Sequence, residues 1–372
     1  MLDVQNGYAF NSNQFGANGE MPLVRIRDLK DGVNTQTSYT GNYNVEYIVK
    51  KGDFLIGMDG EFHCYEWQGT DALLNQRVCR LQNFKENAYK RYVFYMINNE
   101  LKKIEDITAF TTVKHLSSKT IKQISLPLPP LAEQERIAGI LNRVDEIKSL
   151  REEAYNKATE LISSIFHDMA GKYTQETELP AGWKWVKLGD VCTPRPQVQP
   201  QKNPNISIDY VDISSVDNIS KRIIKYSNML GRDVPSRARK LICGGDVIVS
   251  TVRPQLNAVA LIPEKLHNQI CSTGFCVLGA SDMLNKTYLF NYMQTPYIIT
   301  QLSNLAKGAS YPAVTDKIIF SQHIPFPPLA EQERIVERIH KAESIRDAAE
   351  ESLRKIEELQ ASMLQKAFRG EI

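Results

Sequence analysis

Apolar residues recur at alternating steps of three and four along two stretches of the chain. In the first stretch the positions are Ile137, Ile140, Val144, Ile147, Arg151, Ala154, Ala158, Leu161, Ile165 and Asp168, eight of ten apolar. In the second they are Ile335, Arg338, Ala342, Ile345, Ala349, Ser352, Ile356, Leu359, Met363 and Lys366, seven of ten apolar. A 3.5-residue repeat held over about five heptads predicts two long helices, each with a narrow seam. A helix lying on a globular core would carry a wider stripe. The pattern therefore predicts that the helices pack on each other, antiparallel, so that one chain returns on itself through an intervening domain. The expected seam residues are Ile137, Ile140, Val144, Ile147, Leu161, Ile165, Ile335, Ile345, Ile356, Leu359 and Met363. Small residues at Ala154, Ala158, Ala342 and Ala349 would permit close approach.

The same motif heads both helices. Pro127-Leu-Pro-Pro-Leu-Ala-Glu-Gln-Glu-Arg-Ile137 recurs as Pro325-Phe-Pro-Pro-Leu-Ala-Glu-Gln-Glu-Arg-Ile335, differing at one position in eleven at an offset of 198 residues. So long a period means two large copies rather than a solenoid of short repeats. Proline is tolerated where a helix begins, because the missing N–H has no partner there. Glu133, Glu135, Glu331 and Glu333 put negative charge in the first turn, where the helix dipole favours it.

The segments between read differently. β-Branched and aromatic runs such as Tyr210-Val-Asp-Ile213 and Asp246-Val-Ile-Val249, broken by Gly, Asn and Pro, predict strands and turns. Fainter echoes of the duplication run through them. Gly52-Asp53-Phe-Leu-Ile56 parallels Gly245-Asp246-Val-Ile-Val249, Arg77-Val-Cys-Arg-Leu81 parallels Gly274-Phe-Cys-Val-Leu278, and Phe94-Tyr-Met-Ile97 parallels Asn291-Tyr-Met-Gln294. The expected class is α+β. Two similar globular domains of mixed helix and sheet, residues 1–128 and 173–326, are joined by antiparallel coiled-coil helices, residues 129–172 and 327–372, about a pseudo-twofold. The copies differ at their starts. The second opens with Trp183-Lys-Trp185-Val-Lys-Leu-Gly-Asp-Val191, whereas the first offers only Leu2-Asp-Val4. Either the closing Phe368-Arg-Gly-Glu-Ile372 completes the first domain, or the chain begins late.

Composition adds limits. At 372 residues, 42% apolar and 24% charged, the chain suits soluble globular domains. It shows no secretory leader and no apolar run approaching the roughly 18 residues of a spanning helix. Six cysteines without a C-x-x-C pair suit a reducing compartment, so the cytoplasm is expected. Net charge is only +2, but residues 173–326 hold 16 basic against 11 acidic groups, while both helical segments are net negative. That distribution favours phosphate contact by the globular parts.

Catalytic signatures are missing from the sequence. Asn203-Pro-Asn205 lacks the second proline and the aromatic of an amino-methyltransferase pocket, and Gly171-Lys-Tyr173 is no P-loop. Asp145-Glu-Ile-Lys148 resembles a nuclease fragment but sits on a helix, and the six histidines lack metal-ligand spacing. A duplicated enzyme would repeat its polar catalytic residues, whereas here the framework recurs and the decoration changes. That is the mark of two recognition modules on one scaffold. Donor-rich turns supply the candidate DNA contacts. In the first domain they are Arg25, Arg27, Asp59, Gly60, Asn75, Gln76, Arg77, Lys114 and His115. In the second they are Arg237, Arg239, Ser250, Thr251, Arg253, Ser310 and Tyr311. Arginine is apt because its fork grips guanine O6 and N7, or a phosphate, through two bonds.

The doubled P-L-P-P-L-A-E-Q-E-R-I, together with Trp185-Val-Lys-Leu-Gly-Asp-Val191, Leu74-Asn-Gln-Arg-Val78, Ser250-Thr-Val-Arg-Pro254 and Ala367-Phe-Arg-Gly-Glu371, resembles the specificity subunits of type I restriction–modification systems. The resemblance covers essentially the whole chain, apart from the shortened opening. It implies a non-catalytic subunit with two target recognition domains, each reading one half of a split double-stranded DNA site. It also implies two methyltransferase subunits docked on the helices, bringing S-adenosylmethionine, and restriction subunits bringing ATP and Mg2+ chemistry, with no cofactor in this chain and no membrane partner. A helix from Leu131 to Met169 would be ~58 Å long at ~1.5 Å per residue. That exceeds the ~34–36 Å of one duplex turn, so two domains so spaced can address one face of DNA.

Overall fold

The computed structural model describes residues 1–17, 19–108 and 115–371. The chain divides into two compact units, Met1–Glu152 with Glu351–Ile372, and Glu153–Glu350. The division crosses both long helices, so each unit holds one globular domain and part of each helix.

In the first unit an antiparallel sheet runs in the order Asp3–Asn6, Val78–Gln82, Phe54–Gly57, Cys64–Glu66. Its inner strand reads Phe54-Leu-Ile56 without polar alternation because both faces are covered. Phe54 and Ile56 cluster with Ile97 and Leu101 of the helix Lys90–Thr108, while Leu55 clusters with Val24, Trp67 and Leu74. A second sheet has the order Phe15–Gly16, Ser38–Tyr39, Met21–Val24, Ala72–Leu74, Ile48–Val49, with one parallel pairing, Leu23↔Leu73 and Val24↔Leu74.

The second unit repeats this arrangement. Its first sheet runs Cys192–Pro194, Phe275–Ala280, Val247–Ser250, Val259–Leu261, all antiparallel. Its second runs Ser227–Leu230, Ser207–Val211, Gln269–Ser272, Ala238–Ile242, again with one parallel pairing, Tyr210↔Ile270 and Val211↔Cys271. The Gly-Asp echo marks the turn into each inner strand. Gly52 and Gly245 sit at φ 84° and 86°, where a Cβ is disfavoured. Asp53 and Asp246 then accept the Lys50 and Cys243 amides at 2.9 and 2.8 Å.

Two details depart from the sequence reading. The third echo is one residue out of register: Tyr92 donates to the Pro127 carbonyl as Tyr288 does to that of Pro325, so Phe94 matches Phe290 rather than Asn291. The described residues also differ at the openings of the two domains. Lys184–Lys187 pairs with His323–Phe326, whereas Ser125–Leu128 has no paired strand among the described residues. Phe368 of the closing segment packs beside Tyr92, Tyr95 and Met96, with the Lys103 ammonium 4.3 Å from its ring centroid, and supplies no replacement strand.

The long helices are Leu131–Phe166 and Leu329–Arg369. In the first unit Gln360 donates to Asp145 at 2.5 Å and Lys148 lies 3.1 Å from Glu357, so the helices run antiparallel there. In the second unit Ile162 and Phe166 cluster with Ile335, Ile339 and Ala342. The seam is rotated from the one expected. Ile147, Leu161, Ile345 and Leu359 are exposed and Ile140 is only half-buried, while Leu141, Ile162, Ile339 and Ala367 are buried instead. Ile137, Val144, Ile335 and Ala342 are buried, and Ile165, Ile356 and Met363 half-buried. Steps of three and four fit a stripe displaced by one residue equally well. The displacement is set by the domains: Leu141 packs against Tyr92, Tyr95 and Met96, and Ile162 and Ile339 share a cluster with Tyr288 and Tyr292. Each helix thus buries the edge of its stripe that serves both partner helix and domain. Asp145 also accepts the Tyr95 hydroxyl at 2.6 Å, so the nuclease-like fragment is a structural tie.

Candidate nucleic-acid interface

In each unit the inner strand leaves its sheet into the same hydrogen-bonded junction. Met58 N donates to the Arg77 carbonyl at 2.9 Å, and Thr251 N to the Gly274 carbonyl at 2.8 Å. Leu116 N donates to the Met58 carbonyl and Val314 N to that of Thr251. Asp59 bridges antiparallel to His115, and Val252 to Ala313. The backbone therefore equates Asp59 with Val252, Gly60 with Arg253, Arg77 with Gly274, and His115 with Ala313. The side chains at these four pairs share nothing.

In the first unit the junction is polar. Asp59 Oδ1 lies 2.7 Å from His115 Nδ1 and 3.4 Å from Arg77 Nη1. Gln76 is exposed beside them, and Asn75 is buried with its Oδ1 lacking a partner among the described residues. Arg25 follows Val24, whose carbonyl accepts the Asn75 amide, so it emerges at the same end of the domain. Arg27 turns away to Thr37 Oγ1 at 2.9 Å, and Lys114 lies outside the described residues.

In the second unit Arg253 holds its guanidinium carbon 4.8 Å from the Tyr311 ring centroid and donates to the Ser310 carbonyl at 3.4 Å. Ser310 and Tyr311 sit exposed on a turn whose Gly308 has φ 111°. Arg253 and Tyr311 line a cleft with Val252, Leu256 and Ile219. Arg237 is exposed nearby, its carbonyl accepting the Thr273 amide, and Arg239 folds back onto the Ser236 carbonyl. Ser250 and Thr251 are corrections to the expected contact set. Both are buried, and their hydroxyls donate to the Val252 and Gly274 carbonyls at 2.9 Å. They shape the junction without facing solvent.

Sequence reasoning missed Tyr8, which is exposed and bridges to Asn75. It also missed the glutamine inside the repeated motif. Gln134 Oε1 accepts the Tyr89 amide at 2.8 Å while its Nε2 donates to the Asn87 and Pro129 carbonyls. Gln332 repeats this with Asn285, Met283 and Pro327. The signal was available: a polar residue identical in both copies, flanked by positions with no need of it. Leu131, Ala132 and Glu135, with their twins Leu329, Ala330 and Glu333, are exposed, so the fold does not account for their identity.

Comparison with known proteins agrees with this geometry. The profile of the family described as "Type I restriction modification DNA specificity domain" matches residues 1–160 and 180–360. The EcoBI type I specificity subunit of Escherichia coli is 27% identical over 402 residues, spanning 100% of this chain and 84% of that protein. The MjaVIII specificity subunit of Methanocaldococcus jannaschii is 24% identical over 377 residues, spanning 95% and 86%. The crystal structure of a type I S subunit from M. genitalium shares the fold at TM-score 0.57 and 13% identity, covering 99% of this chain and 93% of that one. A twice-matched family profile on a twice-built scaffold places the chain in the type I restriction–modification DNA specificity family, as a non-catalytic DNA-recognition subunit.

Proposed function

We propose that each globular domain reads one half of an asymmetric, split duplex site through the junction just described. The two helices set the distance between the halves and carry two identical methyltransferase subunits. The observation that supports the reading best is the matched junction with unlike side chains. The same hydrogen bonds present Asp59, Arg77 and His115 in one domain and Arg253 and Tyr311 in the other. A shared scaffold with different donors gives two specificities. Arg25, Asn75, Gln76, Gly60, Ser310 and Arg237 complete the proposed contact set, with Arg27 and Arg239 peripheral to it.

The docking half of the proposal rests on surface the fold leaves unused. The exposed twin sets Leu131, Ala132, Glu135 and Leu329, Ala330, Glu333 offer one partner two equal seats. Exposed apolar residues on the helices, Ile147 and Leu359 in the first unit and Leu161 and Ile345 in the second, add contact area. S-adenosylmethionine would enter with the methyltransferase subunits, and ATP and Mg2+ with restriction subunits, in the cytoplasm. No helix among the described residues is long and apolar enough to cross a membrane. The test is a genome-wide map of methylated adenine with and without the gene. A split motif that disappears on deletion supports the reading, and an unchanged map refutes it.

A further inference from the structure

The junction holds one arginine in each domain, and the two come from opposite sides of it. Where the first domain has Arg77 the second has Gly274, and where the second has Arg253 the first has Gly60. The exchange is reciprocal. A Cβ on Gly274 would stand 2.4 Å from Ile213 Cδ1, so a side chain there would require the end of the Ile213 side chain to shift. Gly60 has nothing within 4 Å of a Cβ, so the first domain has room at the second domain's arginine position but leaves it empty.

Both arginines also sit in left-handed backbone, Arg77 at φ 71° and Arg253 at φ 50°. That conformation is unfavourable for a side chain of this size, and such strain persists where the surroundings or function impose it. Neither guanidinium repairs the fold in return. Arg77 reaches only exposed or half-buried partners, Asp59 and His115, each 3.4 Å from its Nη1. Arg253 rests on the exposed Tyr311 ring. Asp59 and His115 on one side, and the tyrosine face on the other, aim the group while leaving most of its N–H donors free among the described residues.

We infer that Arg77 and Arg253 are the paired specificity-determining residues of the two domains, each reading a guanine through its O6 and N7 in its own half-site. The inference rests on the DNA-reading function proposed above. Because the two arginines approach from opposite sides of one junction, the guanines stand at different places within the two half-sites.

The test uses the full chain purified with its methyltransferase subunits and duplex libraries randomised in one half-site at a time. Each arginine is replaced by the residue its sister domain carries, as Arg77→Gly and Arg253→Gly, so the backbone conformation stays accessible. Arg77→Gly should lower discrimination at one position of the first half-site roughly tenfold or more. The second half-site should stay unchanged, and Arg253→Gly should do the converse. Melting temperatures should hold or rise, since glycine suits left-handed backbone. A uniform loss of affinity for every sequence would make the arginines phosphate contacts and overturn the inference. So would an unchanged selection, a loosening of both halves by one substitution, or a melting temperature several degrees lower. Absence of any selection by the unmutated complex would instead overturn the DNA-reading function itself.

Discussion

Gln134 and Gln332 make the same three hydrogen bonds in the two halves of the molecule, each joining the first turn of a long helix to the segment ahead of a domain helix. Both side chains are fully buried, so each bond is made away from water. Removing the amide strands one backbone N–H and two carbonyls. Gln134→Ala should therefore destabilise the first unit by about 2–3 kcal/mol. Faster hydrogen exchange at the Tyr89 amide, with the Asn285 amide unaffected, would confirm that the damage is local.

The rotated seam separates positions that the heptad pattern treats alike. Leu141 is fully buried and Ile147 is 48% exposed. Leu141→Ala should cost about 3 kcal/mol through lost contacts and the cavity left behind. Ile147→Ala should stay within about 0.5 kcal/mol in the isolated subunit, yet weaken capture of the methyltransferase subunits. Chemical denaturation of the two variants decides it, because comparable losses would restore the seam read from the sequence.

Long-period duplication, both helices and the strand framework were legible because each leaves a repeating chemical pattern. The rotation of the seam was not, since the a and d and the a and e stripes both advance by three and four residues. The packing of Tyr92, Tyr95 and Met96 with Leu141, and of Tyr288 and Tyr292 with Ile162 and Ile339, distinguishes them. Of the proposed contacts, Arg77, Asp59 and His115 stand together because strand pairing joins residues far apart in the chain. Ser250 and Thr251 looked like donors to DNA because a hydroxyl in a sequence does not show that its proton is spent on a carbonyl two residues on or across the junction.

The Gly-Asp turns carry unequal weight in the two domains. Asp246 is almost wholly buried and takes a two-bond fork from Arg195 at 2.6 and 2.9 Å. Asp53 meets Arg80 through one bond at 3.0 Å and keeps 22% of its side chain exposed. Asp246→Ala should cost the second unit about 3 kcal/mol by leaving a half-buried guanidinium unpaired. Asp53→Ala should cost the first unit about 1–2 kcal/mol. Thermal unfolding followed by domain-resolved hydrogen exchange separates the two, and equal losses would refute the ranking.

If the helices are the ruler of a split site, lengthening them must move the half-sites without rewriting them. The register of Asp145 with Gln360 and Lys148 with Glu357 places Glu152 opposite Leu353 within the first unit. Seven residues inserted at both of these points preserve the 3.5-residue stripe, because a whole heptad returns each apolar position to the same face. The helices gain ~10 Å at ~1.5 Å per residue, close to three base pairs at ~3.4 Å each. The gap in the methylated motif should widen by about three base pairs while both half-site sequences stay the same. A four-residue insertion would instead turn the stripe partly away from its partner and should cost stability as well as activity. Mapping methylated adenine in cells carrying each variant is decisive: new half-site sequences, or an unchanged gap, would show that the spacing is set elsewhere.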